Sequence, residues 1–446
     1  MTVIRAIKLG AAVIGLLLSC WALLAWSEWL PRITESQRQA LAQMREGNQQ
    51  AVGQRNAWQL FWLLPYQIPE AERAAVLAQD IAALDAIDIA PPPVDLQSVA
   101  EGRYPRRWAK DAPRHRFCSS EGDCLAEVRA DPEAAAAELA SAQGELDALN
   151  RLADYDHLQI PHRPSLASPI PPFARAVSLP LLEAALRFEQ GDPTAALTGL
   201  CRNAAAWRGL KGRADNLIFE MLNVSQLMRN AQLYAQLRAE LPADFALPAV
   251  CAQAFAAPRP EERQACDVYR FEFRLNESLM QPGVLEAMEG GEEWSRSIRG
   301  WGAELLINQE ATLAISAENF ASLCAAIPRP IKQSPELRRP ADQGCGFVGR
   351  LFNPVGCILS AIGTPAYTDY WYRDRDWEGS LRLLQLADWM AEQPDPAAAF
   401  AYRPAALDSF EQPLSFADGE LAIKLLKPRS KPLWAVALPG SRVVQR

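Results

Sequence analysis

Five aromatic side chains and alternating charges crowd into Tyr367-Thr368-Asp369-Tyr370-Trp371-Tyr372-Arg373-Asp374-Arg375-Asp376-Trp377-Glu378, the most distinctive run of the chain. Tyr367, Tyr370, Trp371, Tyr372 and Trp377 could stack on a sugar ring, with Arg373, Arg375 and the carboxylates reaching its hydroxyls. The same composition suits a protein–protein hot spot, where Tyr, Trp and Arg are enriched. A third reading needs no ligand: the aromatics pack the start of a helix against the core, and Arg373, Asp374, Arg375 and Asp376 form its solvated rim. Packing is the favoured reading, and the other two make the run a candidate surface for a glycan or a protein partner. Asp369, Asp374 or Asp376 could also supply a carboxylate pair for glycan hydrolysis, but with 53 Asp and Glu in the chain such adjacency is common.

The other reactive residue types are sparse. The chain has three histidines, His115, His157 and His162. The last two lie in Asp154-Tyr155-Asp156-His157-Leu158-Gln159-Ile160-Pro161-His162, where imidazoles and carboxylates could ligate a divalent metal. The spacing matches no known site, and a solvated helix end with His157 near the C-terminal dipole is the simpler reading. Gly344-Cys345-Gly346-Phe347-Val348-Gly349 has the form of a dinucleotide fingerprint, yet neither the strand that should precede it nor the helix that should follow is expected from its neighbours. No nucleophile elbow, zincin or P-loop motif is present. No cofactor and no metal are therefore expected, and a binding module is favoured over an enzyme.

Nine cysteines carry a different message. Setting Cys20 aside leaves Cys118, Cys124, Cys201, Cys251, Cys266, Cys324, Cys345 and Cys357, an even set that suits a disulfide framework in an oxidising compartment. Short spacings favour Cys118–Cys124, Cys251–Cys266 and Cys345–Cys357, which leaves Cys201 for Cys324. Zinc would need paired CxxC or histidine partners, and none accompanies them.

Arg5 and Lys8 precede Leu9 to Trp26, an uncharged run of 18 residues. As a helix it would be about 27 Å long, close to the hydrocarbon core of a bilayer. Cationic residues before the run and Trp26 and Trp29 after it fit a cytoplasmic N-terminus and a single-pass inner-membrane anchor, with the bulk of the chain in the periplasm. A cleaved secretory signal and a lipoprotein, from the lipobox-like Leu17-Leu18-Ser19-Cys20, are the alternatives. The net charge of −8 becomes two units more acidic without Arg5 and Lys8, which argues against a nucleic-acid partner.

The elements that would position these residues are mostly helical. The 446 residues, 49% hydrophobic and 22% charged, suit a globular chain with a sizeable core. Residues 1–30 are the stub and anchor, 31–172 a first helical lobe with the 118–124 cystine loop, and 173–446 a second lobe. The boundary is drawn by five prolines, Pro161, Pro164, Pro169, Pro171 and Pro172. Trp58, Phe61, Trp62, Leu63 and Leu64 form a core anchor, and Pro69-Glu70 starts a helix with Ala74, Leu77, Ile81 and Leu84 on one face. Asp131-Pro132-Glu133 starts another. Leu179 to Trp207 resembles a single tetratricopeptide-type hairpin, and Asn216 to Leu241 reads as a central helix with apolar residues on more than one side. Residues 328–365 are broken by prolines and glycines, the last helix spans about Trp377 to Glu392, and a three-stranded meander closes the chain.

The order of a signal-anchor, the Asn56 to Pro65 aromatics, the Cys118 to Leu125 loop followed by Val128-Arg129-Ala130-Asp131, and a late helix with a Phe410 to Leu421 tail resembles uncharacterised exported proteins of Gram-negative bacteria. The resemblance implies export and no particular activity or site residue. The expected protein is thus mainly α, with one transmembrane helix, an irregular domain of helical hairpins and a small C-terminal β meander. It would act as a cell-envelope binding or assembly module, with a glycan hydrolase as the alternative.

Overall fold

The structure is a computed structural model that describes residues 33–46, 55–86, 97–118, 122–163, 168–263, 266–280, 307–334, 345–408, 411–428 and 431–442, with isolated positions between 13 and 19. In chain order these residues form α1 (Glu35–Arg45), α2 (Ala57–Trp62), α3 (Glu70–Asp85), α4 (Cys124–Ala130), α5 (Pro132–Ser141), α6 (Gln143–Leu149), α7 (Leu179–Glu189) and α8 (Pro193–Leu210). There follow α9 (Leu217–Ala239), α10 (Ala249–Ala254), α11 (Cys266–Leu279), α12 (Gln309–Ala326), α13 (Phe347–Phe352), α14 (Pro354–Ala391) and α15 (Pro396–Ala401). Strands β1 (Leu414–Ala417), β2 (Glu420–Lys424) and β3 (Leu433–Ala437) pair antiparallel in sequence order. No helix among the described residues is long and apolar enough to cross a membrane. The Leu9 to Trp26 run and Cys20 lie outside them, apart from the isolated positions.

Short polar side chains start most of the helices. Thr34 closes a reciprocal capping box on α1, and Asp123, Asp131, Asp192, Asn216 and Asn308 each accept a first-turn N–H of the helix that follows. Gly191 takes φ +84° in the turn between α7 and α8, which form the expected hairpin. Helix α9 is central, touching α7, α8, α14 and β3, and is buried on most of its circumference. Trp58 stacks on Trp62, and Phe61 on Trp207 of α8, so the α2 aromatics do anchor the core. One core runs from Ala57 to Leu438, and the residues on either side of the proline-rich boundary share it. A second core joins α1, α11 and α12 beneath Trp371.

Three expectations change. On α3 the buried residues are Val76, Asp80 and Leu84; Leu77 and Ile81 are half-buried and Ala74 is exposed. The face turns because Asp80 is drawn inward, accepting from Trp62 Nε1 at 2.7 Å, from the Ser98 hydroxyl and from Val99 N at 2.7 Å. The last long helix starts at Pro354 rather than near Trp377 and runs through Pro365. One proline removes a single i to i−4 bond, and packing of the helix from Trp371 onward against α9, α12 and the meander outweighs that loss.

The third change concerns the disulfides. Cys118–Cys124 and Cys345–Cys357 form as expected, but the remaining bridges are Cys201–Cys251 and Cys266–Cys324, not Cys251–Cys266 and Cys201–Cys324. Helix packing decides the partner: α8 lies against α10, which brings Cys201 to Cys251, and α11 lies against α12, which brings Cys266 to Cys324. Four disulfides fit an oxidising compartment outside the cytoplasm.

Asp215, buried just before α9, accepts from Ile160 N at 2.9 Å and from the Asn216 amide at 2.7 Å. Burial pushes its pKa from the ordinary 3.8 up to about 7, against the pull of those donors. A carboxyl raised on folding stabilises the fold below its unfolded pKa, and that contribution is lost as pH rises through 7. Asp215→Asn is therefore expected to remove a loss of a few kcal/mol that the native chain suffers between about pH 4 and 7. Urea unfolding of both chains at pH 4.5, 6 and 7.5 checks this; a constant difference between them at all three pH values refutes it.

Candidate functional site

The run Tyr367 to Glu378 lies wholly on α14, covered by α9, α12 and the meander. Trp371, Arg375 and Trp377 are buried, and Tyr367, Tyr370, Tyr372 and Arg373 are half-buried, so the run is a seam inside the molecule rather than an exposed stacking face. Arg375 is not part of a solvated rim: it lies 5.2 Å over Trp371, pairs with Glu378 at 3.1 Å, and donates to the Ile327 and Arg329 carbonyls. Arg263 grips the other side of Glu378 at 2.8 Å.

Deeper in the seam, Lys211 at the end of α8 is fully buried. Its ammonium pairs with Glu220 and with Asp374 at 2.8 Å, donates to Glu262 O at 2.9 Å, and sits 5.3 Å over the Trp377 ring. Burial works against its charge, but the two carboxylates outweigh it and hold its pKa above that of an ordinary lysine. Arg208, one turn earlier, forks onto Glu262 at 2.6 and 2.8 Å and caps the carbonyls of Gln253, Ala254, Ala256 and Ala257. These contacts join α8, α9 and α14, as a structural ion network does, while Glu220 Oε2 and Trp377 Nε1 stay buried without a hydrogen-bond partner.

Beside the seam opens a cavity of about 280 Å³, walled by α9, α14, the Cys118–Cys124 loop and β3 with its preceding turn. Helix α9 is buried on all but one stripe, and the half-buried stripe includes Ser225, Met228, Arg229, Gln232 and Gln236, which face the cavity. Their spacing of three and four residues is that of one helical face. Leu181, Val224, Leu233, Leu425 and Trp434 supply apolar wall.

The charge of this lining is one-sided. Among the described residues of the lining, Arg229, Arg373, Lys427 and Lys431 face one carboxylate, Asp376. Asp376 is already occupied by the backbone N–H groups of Leu426 at 2.8 Å and Lys427 at 3.0 Å and by the Gln412 amide. Lys427 pairs with Asp369 at 2.8 Å. Arg229 bonds Gln226 through Nη1 at 3.1 Å when that amide is turned to donate to Val177 O, and its buried Nη2 has no partner. Burial lowers the Arg229 pKa to about 10. Arg373 rests over the Tyr370 ring at 5.2 Å with its Nε buried and unpartnered, and Gln236 Oε1 is also buried without a donor. Buried guanidinium N–H groups without acceptors are costly, and an anion entering the cavity would satisfy them.

No protein-family model, curated protein or solved structure matches this chain.

Among its described residues the cavity lining has one hydroxyl, Ser225, and no histidine to activate it. His157 and His162 are buried rather than at a solvated helix end, because their segment threads beside Asn56 and Arg213, with Ala57 N donating to His157 O at 2.8 Å. Burial holds the pKa of both below that of a free imidazole. His115 sits against Glu145 at 3.0 Å. No group of three or more His, Cys, Asp or Glu among the described residues is arranged to hold a metal ion. The glycine motif does open a helix, α13, with Gly346 at its cap, while its Gly344 and the residues 335–343 before it lie outside the described residues. Asp374 binds Lys211, whereas Asp369 and Asp376 both engage Lys427, so each carboxylate has a cation or amide donors of its own.

Sequence reasoning passed over Arg229, Gln232 and Gln236. The available signal was a polar stripe at helical spacing on a helix otherwise rich in Leu and Met. What the stripe faces depends on the distant meander.

Proposed function

We propose that this protein is a membrane-anchored binding module of the cell envelope, periplasmic in bulk, whose cavity takes a small amphiphilic anion: a carboxylate or phosphate on an apolar body. The observation that carries this reading is the buried, acceptor-less Nη2 of Arg229 at a cavity wall whose described residues include four cations, of which Lys427 is paired with Asp369, and one occupied carboxylate. The apolar wall supplied by Leu181, Val224, Leu233, Leu425 and Trp434 suits the ligand body. The uncharged Leu9 to Trp26 run supports the anchor, and the disulfides support the compartment. Binding is favoured over hydrolysis because the described lining presents charge to hold an anion and, among those residues, no nucleophile with its base.

Calorimetric titration of the full chain with decanoate, decyl phosphate and uncharged decanol, all below their micellar concentrations, tests the reading. Either anion is expected to bind at least about tenfold more tightly than decanol. Arg229→Met should weaken the anions by about tenfold to a hundredfold, the worth of a hydrogen bond to a charged group, and leave decanol unchanged. Equal binding of decanol and decanoate, or no effect of Arg229→Met, refutes it.

A further inference from the structure

Helices α13 and α14 meet at Asn353, and the Cys345–Cys357 disulfide ties them together. Asn353 is buried and bonds Asn308 N at 2.9 Å and the Thr312 hydroxyl at 3.0 Å, so the corner is fixed to α12. Despite this support it turns large apolar side chains outward: Phe347 is 82% exposed, Ile358 58%, Leu359 44% and Ile362 69%. The spacing of Ile358, Leu359 and Ile362 is that of one helical face. From Trp371 onward the same helix is embedded in the core, so its first three turns are the part that emerges.

The composition around this corner is as distinctive as its exposure. Between Cys345 and Thr368 there is no acidic residue, in a chain with 53 of them, and the single charge is Arg350. An apolar segment with no carboxylate of its own is matched to the interface of a bilayer, where aliphatic and aromatic side chains enter the headgroup boundary. An acidic protein partner would call for more cations, and a basic one for carboxylates.

The tether ends nearby. Ser36, at the start of α1, bonds Glu318 on α12 at 2.9 Å. Thr312, six residues earlier on α12, lies about 9 Å away along the helix axis and bonds Asn353 at the corner. From Trp26 to Ser36 the chain can extend roughly 35 Å. A bilayer holding the Leu9 to Trp26 run is thus within reach of the corner.

We infer that the α13–α14 corner rests on the membrane surface, so that Phe347, Ile358, Leu359 and Ile362 form a second contact with the lipid beside the anchor. The inference takes the anchor of the proposed function as given. Two contacts fix the orientation of the domain on the membrane, where one tether would leave it free to swing.

The test uses the full chain in nanodiscs of phosphatidylethanolamine and phosphatidylglycerol, with a photocrosslinking amino acid in place of Ile358, of Ile362, or of Tyr402, which is 85% exposed. Phospholipid adducts are expected at positions 358 and 362, at least about fivefold above position 402. Adding Phe347→Asp and Leu359→Asp should cut them by a similar factor without loss of the folded-state circular dichroism. Adducts only to a second copy or to another part of the chain overturn the inference, as does a lipid yield equal to that at position 402. The anchor is judged separately, by whether the chain co-floats with the discs in alkaline carbonate. If it does not, the same crosslinking chains are mixed with vesicles of the same lipids, and absence of lipid adducts there overturns the membrane-resting face on its own.

Discussion

Lys211→Met is expected to lower the stability of the folded chain by about 3–5 kcal/mol, the cost of stranding the partners of a buried ion. The methionine fills much of the same volume, so the effect is electrostatic rather than a cavity. Glu220 and Asp374 would lose their shared cation, and Glu262 O a donor, inside a region that water does not reach. Burial already pushes the Glu220 carboxyl up while Lys211 pulls it down, so removing Lys211 raises its pKa further. A carboxyl raised on folding costs stability as pH increases, so the defect of the variant should be larger at pH 8 than at pH 5. Adding Glu220→Gln and Asp374→Asn to Lys211→Met should restore part of the loss, because neutral amides tolerate burial better than orphaned carboxylates. Urea unfolding at both pH values measures all of these. A loss under about 1 kcal/mol, equal at pH 5 and pH 8, would show that the seam is not held by this ion.

Removing the Cys201–Cys251 bridge by paired serine substitutions is expected to cost about 4 kcal/mol, against about 2 kcal/mol for the Cys118–Cys124 bridge. The difference follows from loop length: 50 residues separate the first pair and 6 the second, and a longer closed loop removes more entropy from the unfolded chain. Cys201 and Cys251 are both buried between α8 and α10, so the serines also leave hydroxyls in an apolar site. Denaturant midpoints of the two double variants under non-reducing conditions give the comparison. Equal losses, or a larger loss from the short loop, would mean that native packing and not chain entropy sets the worth of these bridges. Peptide mapping without reduction should recover Cys201 joined to Cys251 and Cys266 joined to Cys324.

Much of the helical framework was legible because its signals are local. Asp131-Pro132-Glu133, Gly191-Asp192-Pro193 and Asn216 mark helix starts through bonds made within a few residues, and the structure places helices at each. The meander was legible for the same reason, since the turn at Asp418-Gly419 needs the positive φ that both residues adopt. The start of α14 was not, because proline and glycine between 354 and 365 oppose a helix locally and only the packing of its later turns overrides them. The candidate site was the least legible part. Tyr367 to Glu378 stood out by composition, yet which of those residues reach solvent depends on α9, α12 and the meander folding over them.

The sequence by itself determined the kind of protein: an apolar N-terminal run, an even set of eight further cysteines, an acidic mainly helical body, and no assembled catalytic motif. Those properties are carried by residue type and short spacing. Tertiary structure alone decided that Cys201 meets Cys251 rather than Cys324, that Lys211 and Asp374, 163 positions apart, share one buried ion network, and that Arg229 is left facing a cavity. The physical reason is common to all three. A buried thiol, ammonium or guanidinium is defined by what the packed helices bring against it, and contacts between distant segments leave no local periodicity in the chain.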